Sequence, residues 1–305
     1  MARPILSRYL DVNVVNQLAH CSFEPQGLVL GRRAGAHRSP LAGFAVEFAG
    51  HREYVAGDDP KHIDWRIFYA RDKVVVKQYE METDLVCHMV VDCSASMGYG
   101  EGATRKFTYA SRLATALSYA ILRQADQVSL AVVDATLRSF VTPSPSLAQI
   151  VRMAHHLEQT ALSTATDFPA SLLELSNRLG RREIVVIFSD FFCDLPQLEL
   201  AIQRLRHQKH EAVLLQILHP DEMHFHLEGL VKFVDVEGSA VLISQTEDIR
   251  RAYLDALDQF QRSLADICHR NRCEHVVVNT QRDLRRTLLD YLHQRSAYIA
   301  TCRRR

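Results

Sequence analysis

Residues 85–97, Leu85-Val86-Cys87-His88-Met89-Val90-Val91-Asp92-Cys93-Ser94-Ala95-Ser96-Met97, constrain the fold more than any other stretch of the chain. A short apolar run with β-branched residues ends abruptly in a carboxylate, and two hydroxyls follow it at alternate positions. Its length, and the polar Thr83-Asp84 and Gly98-Tyr99-Gly100 on either side, predict a buried strand delivering a loop. In open α/β sheets that end of the strands is where ligands bind. Asp92, Ser94 and Ser96 form an all-oxygen, hard-ligand set, suited to Mg²⁺, Mn²⁺ or Ca²⁺ and poorly suited to zinc. Capping of a following helix would account for Asp92 and Ser94. It would not require Ser96.

The rest of the chain alternates strand and helix patterns. Residues 4–19, opening on Pro4, predict a short amphipathic helix. Residues 27–54, rich in Gly, Arg and small residues, predict irregular β structure. Gly57 and Pro60 mark a turn before the only tryptophan, Trp65, which reads either as a docking surface or as an apolar plug ringed by salt bridges, the plug being expected, ahead of a strand at 74–79. Helices are predicted over 104–124, 147–157, 169–179, 195–209, 246–272 and 284–292. Strands are predicted over 128–134, 137–141, 183–190, 212–218, 231–236, 241–244 and 274–279. Ser244-Gln245-Thr246-Glu247 has capping-box spacing before the long helix. This order predicts an α/β protein with a mostly parallel sheet covered on both faces.

With 36 Lys plus Arg against 36 Asp plus Glu, no global field favours nucleic acid or an acidic membrane. Arg32-Arg33 and Arg38 lack the interleaved aromatics of a nucleic-acid surface. No stretch approaches the ~18 apolar residues of a membrane span, and the N-terminus lacks a signal-peptide pattern. Seven cysteines, at 21, 87, 93, 193, 268, 273 and 302, form no CxxC pair and read as buried thiols of a reducing compartment. A cytoplasmic location is expected. His224-Phe225-His226 beside Asp221 and Glu222 reads as a solvated loop rather than a transition-metal site. His155-His156 and His207/His210 read as exposed helix faces.

Three loops carry oxygen ligands: Asp92/Ser94/Ser96, Thr166 with Asp167, and Asp190, where the second apolar strand ends in Ser189-Asp190. In a doubly wound sheet such loops converge, and together they suffice for a hexacoordinate Mg²⁺ with water. Neutral hydroxyl ligands leave the ion much of its charge, which suits it to gripping a carboxylate on another protein. No set of nucleophile, general base and oxyanion donor accompanies these residues, so an interaction module rather than an enzyme is expected. The alternative is a divalent-metal hydrolase or phosphoryl-transfer enzyme using Asp92 and Asp190. The loop lacks a second carboxylate two residues after Asp92, and the chain has no Gly-rich phosphate loop. A metal-free scaffold, with the same residues as caps, is a third reading.

Asp92-Cys93-Ser94-Ala95-Ser96, Thr166 and Asp190 resemble, at all five positions, the metal-ion-dependent adhesion site of von Willebrand factor type A domains. The resemblance implies a Rossmann-like, doubly wound fold over residues 82–295 with the metal held atop the sheet. It leaves 1–81 as an N-terminal helix and β-rich extension and 296–305 as a basic tail. Glu53-Tyr54, Gly57-Asp58-Asp59, Ile63-Asp64-Trp65-Arg66, Ala70-Arg71 and Val76-Lys77 resemble the signature of a bacterial domain-of-unknown-function family, number fifty-eight. His219-Pro220-Asp221-Glu222 resembles that family's Asp-Pro-x-Glu step, with His219 in place of Asp, and is assigned no function. The resemblance implies partnership with a MoxR-type AAA+ ATPase in the assembly or maturation of other proteins. Many members carry two N-terminal membrane helices, which this chain lacks.

Overall fold

The computed structural model describes residues 5–18, 21–26, 37–38, 47–55, 58, 60, 63–80, 82–83, 85–163, 167–227, 229–234 and 241–303. The chain divides into two compact units, residues 27–85 and residues 1–26 together with 86–305. The boundary expected at 82 therefore differs for the N-terminus. Its segment, two short helices α1 (Ile5–Tyr9) and α2 (Val12–Leu18) rather than one, joins the larger unit through buried Tyr9, Val14 and Leu18.

The smaller unit contains β1 (His37–Arg38), β2 (Glu47–Glu53), α3 (Trp65–Arg71), β3 (Val75–Glu80) and β4 (Glu82–Thr83). β2 pairs antiparallel with β3, with a register shift between Phe48 and Gly50, and β1 pairs with β4. Asp64 caps α3, accepting from the Arg66 N–H at 3.0 Å while its other oxygen meets His51 Nε2 at 3.0 Å. Asp58 accepts from the Val55 N–H and from Arg52 Nη2, closing the preceding turn. Gly57 and Asp59 lie outside the described residues. Trp65 is not a plug. It is 52% exposed at the first turn of a helix that buries none of its residues, and its ring meets only the edge of Phe68 at 6.0 Å among described aromatics. A seven-residue helix beside a two-stranded ribbon has too little apolar surface opposite it to cover an indole.

The larger unit runs β5 (Val86–Asp92), a 3₁₀ turn (Ala95–Gly98), α4 (Lys106–Leu122), β6 (Gln127–Val133), β7 (Leu137–Ser144), α5 (Ala148–Gln159), α6 (Phe168–Ser176) and β8 (Ile184–Ser189). It continues through α7 (Leu195–His207), β9 (Glu211–Leu218), α8 (Pro220–His224), β10 (Leu230–Val234), β11 (Val241–Gln245), α9 (Thr246–Arg270), β12 (Glu274–Asn279) and α10 (Leu284–Arg303). Six strands form one sheet in the order β12-β9-β8-β5-β6-β7, parallel except for β7. This is the expected doubly wound α/β architecture. β10 and β11 form a separate antiparallel pair.

All seven residues of β5 are buried, as a strand covered on both faces requires. On one face Val90, Val185, Ile187 and Leu214 pack with Leu172 of α6, Leu198 of α7 and Leu264 of α9. On the other, α4 buries Leu113, Leu117 and Ile121 and is itself contacted by α1, α5 and α10. Each such aliphatic contributes about 1.5–3 kcal/mol by burial. β7 runs through Pro143, further than predicted, because an edge strand can spare an N–H. α10 continues to Arg303, so residues 296–303 are helix rather than tail. Ser244 lies within β11 and the N-cap of α9 is Gln245, whose side chain makes no capping hydrogen bond to the helix, so the predicted capping box there does not form. Among the described residues no helix is long and apolar enough to cross a membrane.

Candidate metal centre

From β5 the chain steps through β6 to β7 on one side of the sheet. It then returns to place β8, β9 and β12 on the other. The direction of winding thus reverses between β5 and β8, and the carboxyl ends of two such strands leave a crevice between their diverging loops. Asp92 is the last residue of β5, Ser189 the last of β8, and Asp190 follows it. A cleft of about 320 Å³ opens there, lined by Asp92, Ser94, Ser96, Asp167, Asp190 and Phe192 among others.

Asp92 is buried and held from both sides. Its Oδ1 accepts from the Ser94 N–H at 2.8 Å and its Oδ2 from the Ser189 hydroxyl at 2.6 Å. The turn over Ala95–Gly98 brings Ser96 back towards Ser94, so that their Oγ atoms lie 3.0 Å apart. Burial, and then the charge of Asp190, push the Asp92 carboxyl up to about 7, against the hydrogen bonds from Ser189 and Ser94. Two carboxylates brought close with so little water are short of positive charge.

Part of that charge comes from within. Lys106, the first residue of α4, is fully buried, and its ammonium lies 2.7 Å from Asp190 Oδ2 and 2.6 Å from Glu222 Oε1. Burial opposes its charge, but Asp190 and Glu222 outweigh burial and raise its pKa. Asp190 Oδ1 accepts from the Phe192 N–H at 3.1 Å. Glu222 Oε2 accepts from the His219 N–H at 2.8 Å and His219 Nδ1 from the Asp221 N–H at 3.3 Å, a capping box at the N-terminus of α8. The Tyr99 hydroxyl donates to Asp221 at 3.2 Å. The His219-Pro220-Asp221-Glu222 step, given no role from sequence, thus joins the rim of this centre.

Four of the five expected ligands, Asp92, Ser94, Ser96 and Asp190, line the one cleft. Thr166 lies outside the described residues. The segment leading to it docks at the site, since the Ser163 N–H donates to the Cys93 carbonyl at 2.9 Å, and Asp167 beyond it caps α6 through the Ala170 N–H. The donor set is chemically apt for a hard divalent cation. Two neighbouring ligands of an octahedral Mg²⁺ at ~2.1 Å stand about 3.0 Å apart, the separation of the two serine oxygens. Asp190 has one oxygen on the Phe192 N–H and the other on the Lys106 ammonium.

Sequence reasoning passed over Lys106, Glu222 and the role of Ser189. A cation at the first position of a helix opposes the macrodipole, and that misfit was the one available signal for Lys106. Cys193 also lines the cleft; burial and then Asp92 and Asp190 push its thiol up to about 12, which keeps it protonated and unreactive. His224 and His226 are exposed with ring centroids 5.2 Å apart, while Phe225 between them is buried against Tyr253. Among the described residues no three His, Cys, Asp or Glu side chains are grouped to hold a metal by themselves. His210 is not on an exposed helix face. It is fully buried after the end of α7, where Nδ1 accepts from the Glu183 N–H at 3.2 Å.

Fold and site together define an open α/β domain with an oxygen-rich crevice at its switch point. The family described as Protein of unknown function DUF58 matches residues 50–263, more than half of the chain, and the protein belongs to that family. Uncharacterized proteins of Mycobacterium tuberculosis and Mycobacterium bovis are 23% identical over 210 residues; the match covers 68% of this chain and 66% of the length of those relatives. Among solved structures, the conserved hypothetical protein BatB from Bacteroides thetaiotaomicron aligns with a TM-score of 0.48 at 14% identity, over 71% of this chain and 99% of that one. The SpRpn10 VWA domain aligns with a TM-score of 0.37 at 11% identity, over 68% and 95%.

Proposed function

We propose that this protein is a divalent-metal-dependent protein-interaction module, a cytoplasmic adaptor that works with a MoxR-type AAA+ ATPase in the assembly or maturation of other proteins. Asp92, Ser94 and Ser96 would hold Mg²⁺ (or Mn²⁺ or Ca²⁺), with Thr166 and Asp190 completing the shell. The observation that carries the reading is the preset oxygen cluster at the switch point. There Asp92 is clamped by Ser94 and Ser189, and two serine oxygens are spaced as neighbouring ligands. A bound divalent ion would supply a positive centre with a position open to one more anionic oxygen. The protein's own part is to fix the carboxylate, present neutral hydroxyls and border the cleft with the half-exposed ring of Phe192. That combination suits a carboxylate presented on a partner's surface. The AAA+ partner comes from the family resemblance.

The test is calorimetric titration of Mg²⁺ and Mn²⁺ into wild type and Asp92→Ala, each with and without the ATPase. Metal and partner are expected to bind together in wild type, each tightening the other, and both are lost in the variant. Metal binding indifferent to the partner would remove the adaptor reading, and absence of metal binding would leave a scaffold.

A further inference from the structure

Lys106 is a costly residue in its place. It starts a 17-residue helix, where positive charge opposes the macrodipole, and its ammonium has no exposure to water. An ammonium survives such burial only when anions surround it. Here Asp190 Oδ2 lies at 2.7 Å and Glu222 Oε1 at 2.6 Å, and the Phe192 ring centroid stands 5.4 Å away. The first of these partners is a carboxylate that the metal reading assigns to the ion's shell. The second reaches in from α8, where its other oxygen caps the helix.

We propose that Lys106 is a resident counter-cation that sets how tightly the centre holds a divalent ion, and that Glu222 positions it; the inference rests on the metal reading above. The ammonium cancels one of the negative charges that would otherwise draw in a metal. The isolated protein then holds its ion loosely, and a partner's carboxylate makes up the deficit. Lys106 is a positioning residue acting through Asp190.

Removing the ammonium and removing its anchor have opposite effects on the metal. Lys106→Met leaves Asp190 and Glu222 uncompensated. It is expected to bind Mg²⁺ and Mn²⁺ at least about tenfold more tightly than wild type, charges a few ångströms apart being weakly screened in a buried site. Its metal-free form melts lower and gains more from added metal. Glu222→Gln keeps an oxygen for the His219 N–H but loses the charge, and is expected to weaken metal binding by about threefold or more. Calorimetry and thermal melts of the full chain, with and without metal, read both. If wild type binds metal but both variants weaken it or neither changes it, Lys106 serves the fold alone and this inference falls while the metal reading stands. If none of the three proteins binds metal, both fall. Should Lys106→Met fold only when metal is present, metal-dependent folding supports the inference, and Glu222→Gln still decides its sign.

Discussion

Ser189 at the end of β8 donates its hydroxyl to Asp92 at the end of β5, at 2.6 Å, and accepts the Phe191 N–H at 2.9 Å on its other side. One oxygen thus fixes the site carboxylate and the turn that carries Phe191 at a φ of 61°. Ser189→Ala removes a donor that favours charged Asp92 and leaves the Phe191 N–H without this acceptor. The expected cost is about 2 kcal/mol in metal-free denaturant melts, together with weaker Mg²⁺ binding by calorimetry. Unchanged affinity would show that Asp92 needs no such support.

His210 gives the protein an acid-sensitive core. Burial holds its pKa below the ordinary 6.5, and burial does the same to His275. Unfolded, each takes up a proton near 6.5; folded, each waits for a lower pH. The stability present above pH 6.5 is therefore lost as pH falls from 6.5 through the folded values, by up to about 1.4 kcal/mol per pH unit for each group. Melts of His210→Asn between pH 7.5 and 5.5 should fall less steeply than those of wild type.

Arg295 locks the segment that precedes the smaller unit's residues. Its guanidinium pairs with Glu211 and Glu274, donates to the Glu24 carbonyl at 2.9 Å and lies 4.4 Å over the Phe23 ring, with almost no exposure. A lysine has one charged centre and cannot match this planar set of contacts. Arg295→Lys keeps the charge but loses part of the hydrogen-bonding fork and the stacking on Phe23, and is expected to cost about 1–3 kcal/mol, measured by chemical denaturation. Hydrogen exchange should rise first at residues 21–26.

Trp65 is the chain's single tryptophan, so its fluorescence reports one place. At 52% exposure it should be readily quenched by acrylamide in the native protein. Trp65→Ala should change stability by no more than about 0.5 kcal/mol. A shielded native emission and a loss of several kcal/mol would restore the plug.

Much of the larger unit was legible because its signals are local. The apolar runs of β5 and β8 and the helical stripe of α4 register in short windows, and the Asp92-x-Ser94-x-Ser96 spacing is confined to one loop. Misreadings arose where a residue's surroundings come from afar. His210 looked like part of a polar helix end, yet it is sealed beside the start of β8 at Glu183. His88, to which the sequence assigned no role, sits in the middle of an apolar strand, paired with Ser129 at 2.5 Å and Glu183 at 2.8 Å, neither of which is near it in sequence. Trp65 failed in the opposite direction, since apolar character says a residue prefers burial but not that anything is there to bury it.

The sequence by itself determined the alternation of elements, the two apolar strands ending in acid, and the oxygen chemistry of their loops. Hydrophobic period and residue type encode those directly. Only the tertiary structure decided that β8 returns to the far side of β5, opening the crevice between Asp92 and Asp190. It alone set a lysine from α4 between carboxylates of two other segments. An apolar strand reads the same whichever neighbour it pairs with. The charge balance of a buried site is a sum over groups that only folding brings together.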